Sequence, residues 1–194
     1  MIPKSGAIRP GGVGDEFLSG EWERHERLRD GTRILVRPIK GEDETLYPAF
    51  MAAESVQDTR RRFFGAVRDL SHDFIVRLTH VDYDQTMAFI AIDEVGAKML
   101  GVVRLHRQED DPGTAEYAVI VRSDFKGRGL GRLLMLRMIE WSKAARIKTI
   151  TGLVLADNAE MLKLCEQLGF HVSDYMSDRD IKRVSLSLAD RNRP

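Results

Sequence analysis

From Arg33 onward the apolar positions fall into short blocks whose period switches between two and about 3.6 residues. Ile34, Leu35 and Val36 predict a short strand stopped by Pro38. Glu42–Ala53 and Ser55–Phe64 pattern as helices with a weak break between them, and Ser71–Leu78 as a further short helix with Ser71 as its N-cap. Met87–Asp93 and Met99–Arg107 predict two strands joined by a turn at Glu94–Lys98. Asp110-Asp111-Pro112-Gly113 is a strong turn, and Thr114–Val121 then reads as the third strand of a meander. Beyond it Leu130, Leu133, Leu134, Met138 and Trp141 fall at offsets of three, four, eight and eleven, the spacing of one helix face. Thr149–Leu155 returns to strand, Asn158–Leu168 to helix, and the chain from Phe170 to about Leu188 to one or two strands. No internal repeat is present. This order predicts an α/β (α+β) fold, a mixed sheet with helices on its faces.

The first 20 residues differ in kind. They hold five glycines and two prolines, too little apolar surface to offset the entropy of ordering, and read as a mobile tail. Glu21–Arg29 is rich in Glu and Arg and helical in propensity; it either covers the domain or continues the tail. Residues 1–30 are therefore expected to be a flexible or partly helical extension, and residues 31–190 a single domain.

Composition narrows the function classes. Lys plus Arg total 30 and Asp plus Glu total 30, so the basic excess that drives non-specific binding to nucleic acid or acidic membranes is missing. The one cysteine cannot close an intrachain disulfide. The longest unbroken apolar run, Met87–Ile92, is six residues, far short of a membrane span. The N-terminus has glycine and proline where a signal peptide has an apolar region. The expectation is a soluble cytoplasmic chain with no nucleic-acid or membrane partner. Its five histidines are scattered without the His-Glu-x-x-His spacing of a zinc site, so no metal is expected either.

The most informative segment is Val119-Ile120-Val121-Arg122-Ser123-Asp124-Phe125-Lys126-Gly127-Arg128-Gly129-Leu130-Gly131-Arg132. A strand runs into a glycine-rich loop, and the loop opens an amphipathic helix. Glycines let the backbone turn sharply and approach a ligand closely. The first helical turn presents unpaired N–H groups and the positive end of the helix dipole, which suits an anion. Lys126, Arg128 and Arg132 add charge. Arg132 stands where a dinucleotide fingerprint needs glycine, and the Lys-Ser or Lys-Thr of a Walker loop is absent. The pattern is Lys-x-x-Gly-x-Gly, chemistry for a phosphorylated cofactor of another kind; the alternative is a glycine turn that merely caps a helix.

This loop resembles the pyrophosphate-binding loop of the GNAT superfamily of acyl-CoA-dependent N-acetyltransferases, with Lys126 where that family usually has Gln or Arg. Asn158-Ala159-Glu160-Met161-Leu162-Lys163-Leu164-Cys165-Glu166-Gln167-Leu168-Gly169-Phe170 resembles the family's later CoA-binding helix. Residues 28–33, 37–39, 78–84 and Ala115-Glu116-Tyr117-Ala118-Val119 are similar to the acetyltransferase domain of bacterial Pat-type protein lysine acetyltransferases. The resemblance implies a GNAT fold: a mixed, mostly antiparallel central sheet of six to seven strands flanked by helices and splayed at the acetyl-CoA site. It implies acetyl-CoA as co-substrate, with main-chain contacts from Val119, Ile120 and Val121 to the pantetheine arm and acetyl group. Gly127, Arg128, Gly129, Leu130, Gly131 and Arg132 would hold the pyrophosphate, and Asn158 the arm further along. It further implies a protein substrate with an acceptor lysine, such as an acyl-CoA synthetase. A small-molecule amine acetyltransferase and a non-catalytic acyl-CoA-binding sensor are the alternatives.

Acetyl transfer needs a neutral amine. A free lysine has a pKa of about 10.4, so deprotonating it at pH 7 costs roughly 4.6 kcal/mol, and a positioned general base removes that barrier. Glu116 is the candidate, the one acidic residue in an otherwise apolar strand; it also matches the catalytic glutamate of the Pat-type domains. The competing reading is a solvent-facing residue that strand alternation permits. Cys165 occupies the position of the family's thiolate-protonating tyrosine, but Met161, Cys165 and Leu168 also form an apolar stripe, and packing beside the CoA sulfur is the favoured reading. Arg60, Arg61 and Arg62 fit a solvated helix face better than a contact with CoA or an acidic substrate. His80, Asp82 and Asp84 fit a turn leading into a strand. His106 alternates with Arg104 and Val102 and is a candidate to face the acceptor groove.

Overall fold

The computed structural model describes residues 20–53, 71–176 and 178–188. The run Met87–Ile92 lies within β3 (Thr86–Asp93), where Met87, Ala88, Phe89, Ile90 and Ala91 are each at most 1% exposed. Met87, Phe89 and Ala91 face a core shared with helix α3 (Leu130–Ala144), whereas Ala88 and Ile90 face a second core containing Ile39, Tyr47, Phe50 and Ile75. A strand covered on both faces needs apolar residues at every position, which is why no alternation is visible there.

Among the described residues eight strands form one sheet, in the order β1-β2-β3-β4-β5-β6-β8-β7. The others are β1 (Arg24–Arg27), β2 (Arg33–Pro38), β4 (Met99–Arg107), β5 (Thr114–Val121), β6 (Thr149–Leu155), β7 (His171–Tyr175) and β8 (Asp178–Ser187). All neighbours are antiparallel except β5 and β6, which run parallel. Helices α1 (Tyr47–Ala52), α2 (His72–Thr79), α3 and α4 (Ala159–Gln167) pack on the sheet's two faces.

Three expectations are adjusted. The stretch read as helical from Glu21 contains a strand, β1, paired in register with β2, and Trp22 and Leu28 on either side of it are buried in the core. Its charged sequence has no period-two signature because it is an edge strand, where exposed charge blocks pairing with other chains. With β1 present and β7 and β8 separate, the sheet has eight strands instead of six or seven. Glu42–Ala53 is not one helix: a 3-10 segment over Gly41–Leu46 precedes α1, which restarts with Pro48 in its first turn, where proline's missing N–H costs nothing. The helix expected over Ser55–Phe64, with Arg60, Arg61 and Arg62, lies outside the described residues. Ser71 caps α2 as expected, its Oγ accepting from the Phe74 N–H at 3.3 Å.

A buried ion pair fixes the chain after β2. Both terminal guanidinium nitrogens of Arg37, Nη1 and Nη2, donate to Asp43 at 2.7 Å, and the Lys40 N–H donates to the same carboxylate at 2.7 Å. Hydrogen bonding to Asp43 raises the Arg37 pKa further above its already high ordinary value.

Candidate active site

β5 and β6 pair only over Thr114↔Thr149, Ala115↔Ile150 and Glu116↔Thr151, and then part. The Arg122 N–H donates to Leu100 O at 2.8 Å and the Gln108 N–H to Thr114 O at 2.9 Å. With the β4–β5 register, these bonds turn the backbone groups of even-numbered β5 residues toward β4. Those of Tyr117, Val119 and Val121 therefore face the gap that β6 has left. Ile120 differs from its two neighbours: its main chain belongs to the β4 ladder and its side chain is buried in the second core.

The loop that follows forms a cradle of exposed backbone at the start of α3. Gly127 and Gly129 have φ of +74° and +93°, conformations that disfavour any side chain. Gly129 is the N-cap of α3, and no side chain caps that helix. The first-turn N–H groups of Leu130, Gly131 and Arg132 are thus left for an external acceptor. The loop is braced from within. Arg122 Nε donates to Asp124 at 2.7 Å, and the Arg128 guanidinium lies 4.4 Å from the Phe125 ring centroid while donating to Asp30 at 2.7 Å. The Leu130 side chain is buried in the core and anchors the helix start. Gly131 sits between Val121 and Leu164, each 3.7–3.8 Å from where its Cβ would be.

Glu116 stands at the last paired position before the gap. It is half-buried, and among the described residues its carboxylate makes no hydrogen bond or ion pair. Its neighbours in register are His106 on β4 and Thr151 on β6, which share its face of the sheet. His106 is held through Nδ1 by Thr86 Oγ1 at 2.7 Å, and Arg104, two residues along the same face, donates to Leu78 O. His80 is engaged by Glu44 at 2.5 Å, and Asp82 accepts from the Asp84 N–H at 3.0 Å, the turn expected before β3.

Asn158 is the N-cap of α4, its Oδ1 accepting from the Met161 N–H at 3.3 Å; its amide nitrogen has no hydrogen-bond partner among the described residues. Cys165 is fully buried, and desolvation pushes its thiol above the usual pKa range. Its Sγ lies 3.1 Å from the hydroxyl of Tyr117, a contact not foreseen in the sequence. The Tyr117 ring lies over Gly152, where a Cβ would stand 2.4 Å from the ring, and packs at 5.5 Å against Phe170. Burial raises the Tyr117 phenol well above its ordinary pKa. A glycine inside a strand signals such close approach, and Gly152 was the available clue.

The profile of the Acetyltransferase (GNAT) domain matches residues 33–171. The chain belongs to the GNAT acetyltransferase family. It is 30% identical over 147 residues to an acetyltransferase of Pseudomonas aeruginosa, covering 75% of this chain and 78% of that one. It is 27% identical over 156 residues to the acetyltransferase Pat of Mycolicibacterium smegmatis, covering 79% of this chain but 43% of the relative. The chain thus spans less than half the length of that protein. Among solved structures the GNAT domain of S. lividans PAT superposes with a TM-score of 0.79 at 25% identity, covering 87% of this chain and 98% of that domain.

GNAT acetyltransferases use acetyl-CoA, and the residues present fit it. The gap beside β5 runs to an uncapped helix start whose glycines leave the backbone accessible; at Gly127 a Cβ would meet nothing within 4 Å. Among the described residues no three His, Cys, Asp or Glu side chains are placed to hold a metal ion, and no helix is long and apolar enough to cross a membrane.

Proposed function

We propose that the chain transfers an acetyl group from acetyl-CoA to a lysine side chain of a protein, such as an acyl-CoA synthetase, with Glu116 as general base. The observation that carries the reading is the unpaired, half-buried carboxylate of Glu116 at the point where β5 and β6 part. The likeness to Pat proteins favours a protein acceptor over a small amine.

When bound, acetyl-CoA supplies the activated thioester. The N–H groups of Leu130, Gly131 and Arg132 hold its pyrophosphate at the α3 start. Glu116 takes the proton of the incoming ammonium, directly or through water, and so gives a positioned acceptor to a deprotonation that costs roughly 4.6 kcal/mol at pH 7. The free N–H groups of Val119 and Val121 provide donors for the charge that develops on the carbonyl oxygen. Cys165 is buried with its thiol held neutral, which favours direct transfer over an acyl-enzyme.

The test is thiol release from acetyl-CoA with an acyl-CoA synthetase as acceptor, followed by mass spectrometry of that protein. Acetylation of one lysine is the expected result. Thiol release with a panel of small amines and none with proteins would overturn the protein-acceptor reading. Tight CoA binding without turnover on either panel would leave an acyl-CoA sensor.

A further inference from the structure

A cavity of about 330 Å³ lies between the β1–β2 hairpin and the outer face of α3. Five arginines line it, Arg27, Arg29, Arg128, Arg132 and Arg137, against two carboxylates, Glu26 and Glu140. Both carboxylates are engaged by Arg137, at 3.0 and 2.6 Å. Arg128 is paired with Asp30, and Arg27 donates to Gly31 O at 3.3 Å. Arg29 and Arg132 remain, with no acidic partner among the described residues. They flank Gly129, the N-cap of α3. Arg29 Nε is 3.6 Å from where a Gly129 Cβ would stand, so its side chain lies against the cradle itself.

The hairpin fixes the backbone on either side of Arg29. Its turn is closed by the Leu28 N–H donating to Thr32 O at 2.9 Å and the Gly31 N–H donating to Leu28 O at 3.0 Å. Asp30 accepts from the Thr32 N–H at 3.0 Å and pins the turn to the loop through Arg128.

Two unneutralised guanidiniums beside a helix start suit a phosphomonoester, which carries close to two negative charges at neutral pH and accepts paired hydrogen bonds from arginine. The cavity shares Arg128, Gly129 and Arg132 with the cradle for the pyrophosphate. Coenzyme A carries such a monoester, on the ribose 3′ position, a few bonds from its pyrophosphate. We propose that Arg29 and Arg132 form the subsite for the 3′-phosphate of acetyl-CoA, which makes the β1–β2 hairpin part of the cofactor site. The assignment rests on the acetyl-CoA reading.

Calorimetric titration of the full chain with acetyl-CoA and with acetyl-dephospho-CoA, which lacks only the 3′-phosphate, tests it without turnover. A charge-assisted contact made by one ligand and missing in the other corresponds to about tenfold or more in Kd. Wild type should bind acetyl-CoA at least about tenfold more tightly than the dephospho form. Arg29→Gln should erase most of that preference while leaving Kd for the dephospho form within about twofold, and Arg29→Lys should keep part of it. An unchanged melting temperature in both variants excludes misfolding as the cause. Equal affinity of wild type for the two ligands, or equal weakening of both by Arg29→Gln, would overturn the subsite alone. Failure of wild type to bind either would overturn the acetyl-CoA reading and the subsite together.

Discussion

Gly152→Ala is the substitution whose consequence the structure specifies most tightly. The added methyl would stand 2.4, 2.8 and 3.0 Å from three ring atoms of Tyr117, where an ordinary contact is 3.4 Å or more. The ring must retreat by about 1 Å. It has little room: Tyr117 is 5% exposed, Phe170 packs at 5.5 Å, and the hydroxyl meets Cys165 Sγ at 3.1 Å. Overpacking of this kind costs about 1–3 kcal/mol. The expected loss in urea is therefore about 1–3 kcal/mol, read as a lower midpoint with an unchanged slope. Tyr117→Leu removes the obstructing ring. In the double variant the glycine substitution should then cost little, giving a coupling energy of about 1 kcal/mol or more between the two sites. A Gly152→Ala protein as stable as wild type, or a double variant whose losses simply add, would refute this packing.

Other perturbations separate buried from exposed contributions. Asp43→Ala leaves Arg37, 8% exposed, as an uncompensated buried charge, so it should cost about 3–5 kcal/mol in the same urea experiment. Asp30→Ala breaks the more exposed pair with Arg128 and should leave the urea midpoint close to that of wild type. Gly129→Ala forces a side chain onto φ of +93° and should lower stability by about 1–2 kcal/mol and weaken acetyl-CoA binding, measured by calorimetry. Burial raises the Cys165 thiol pKa, so the folded state favours the protonated form. That contribution is complete below the ordinary thiol pKa and is lost as pH rises through the folded value. Wild-type stability should fall above about pH 8.5, Cys165→Ala should flatten that limb while keeping most of kcat, and native Cys165 should resist iodoacetamide.

The glycine turn before α3 was legible because the backbone conformations it needs leave few residue choices; Gly127 and Gly129 do adopt positive φ. Glu116 was legible as an acid in an apolar strand, and the gap beside it followed from the family resemblance. β1 was not legible. Its sequence, Arg24 to Arg27, has neither period, because this short edge strand is largely exposed on both faces and needs no buried face of its own. The Tyr117–Cys165 contact joins residues 48 positions apart, and neither residue's type demands the other. The docking of Arg29 on Gly129 is hidden for the same reason: Asp30 and Arg128 are 98 positions apart, and their pairing exists only once the hairpin folds against the loop.

The central claim concerns Glu116, and the most direct measurement compares wild type with Glu116→Gln in two readouts on the same preparations: calorimetric binding of acetyl-CoA, and the rate of lysine acetylation against pH. The amide keeps the shape of the carboxyl and cannot accept the proton. The expected result is unchanged binding with kcat lowered by about 10²–10⁴, the residual rate rising steadily with pH as more lysine becomes neutral. A Glu116→Gln protein that binds acetyl-CoA and acetylates lysine at the wild-type rate near pH 7 would contradict it.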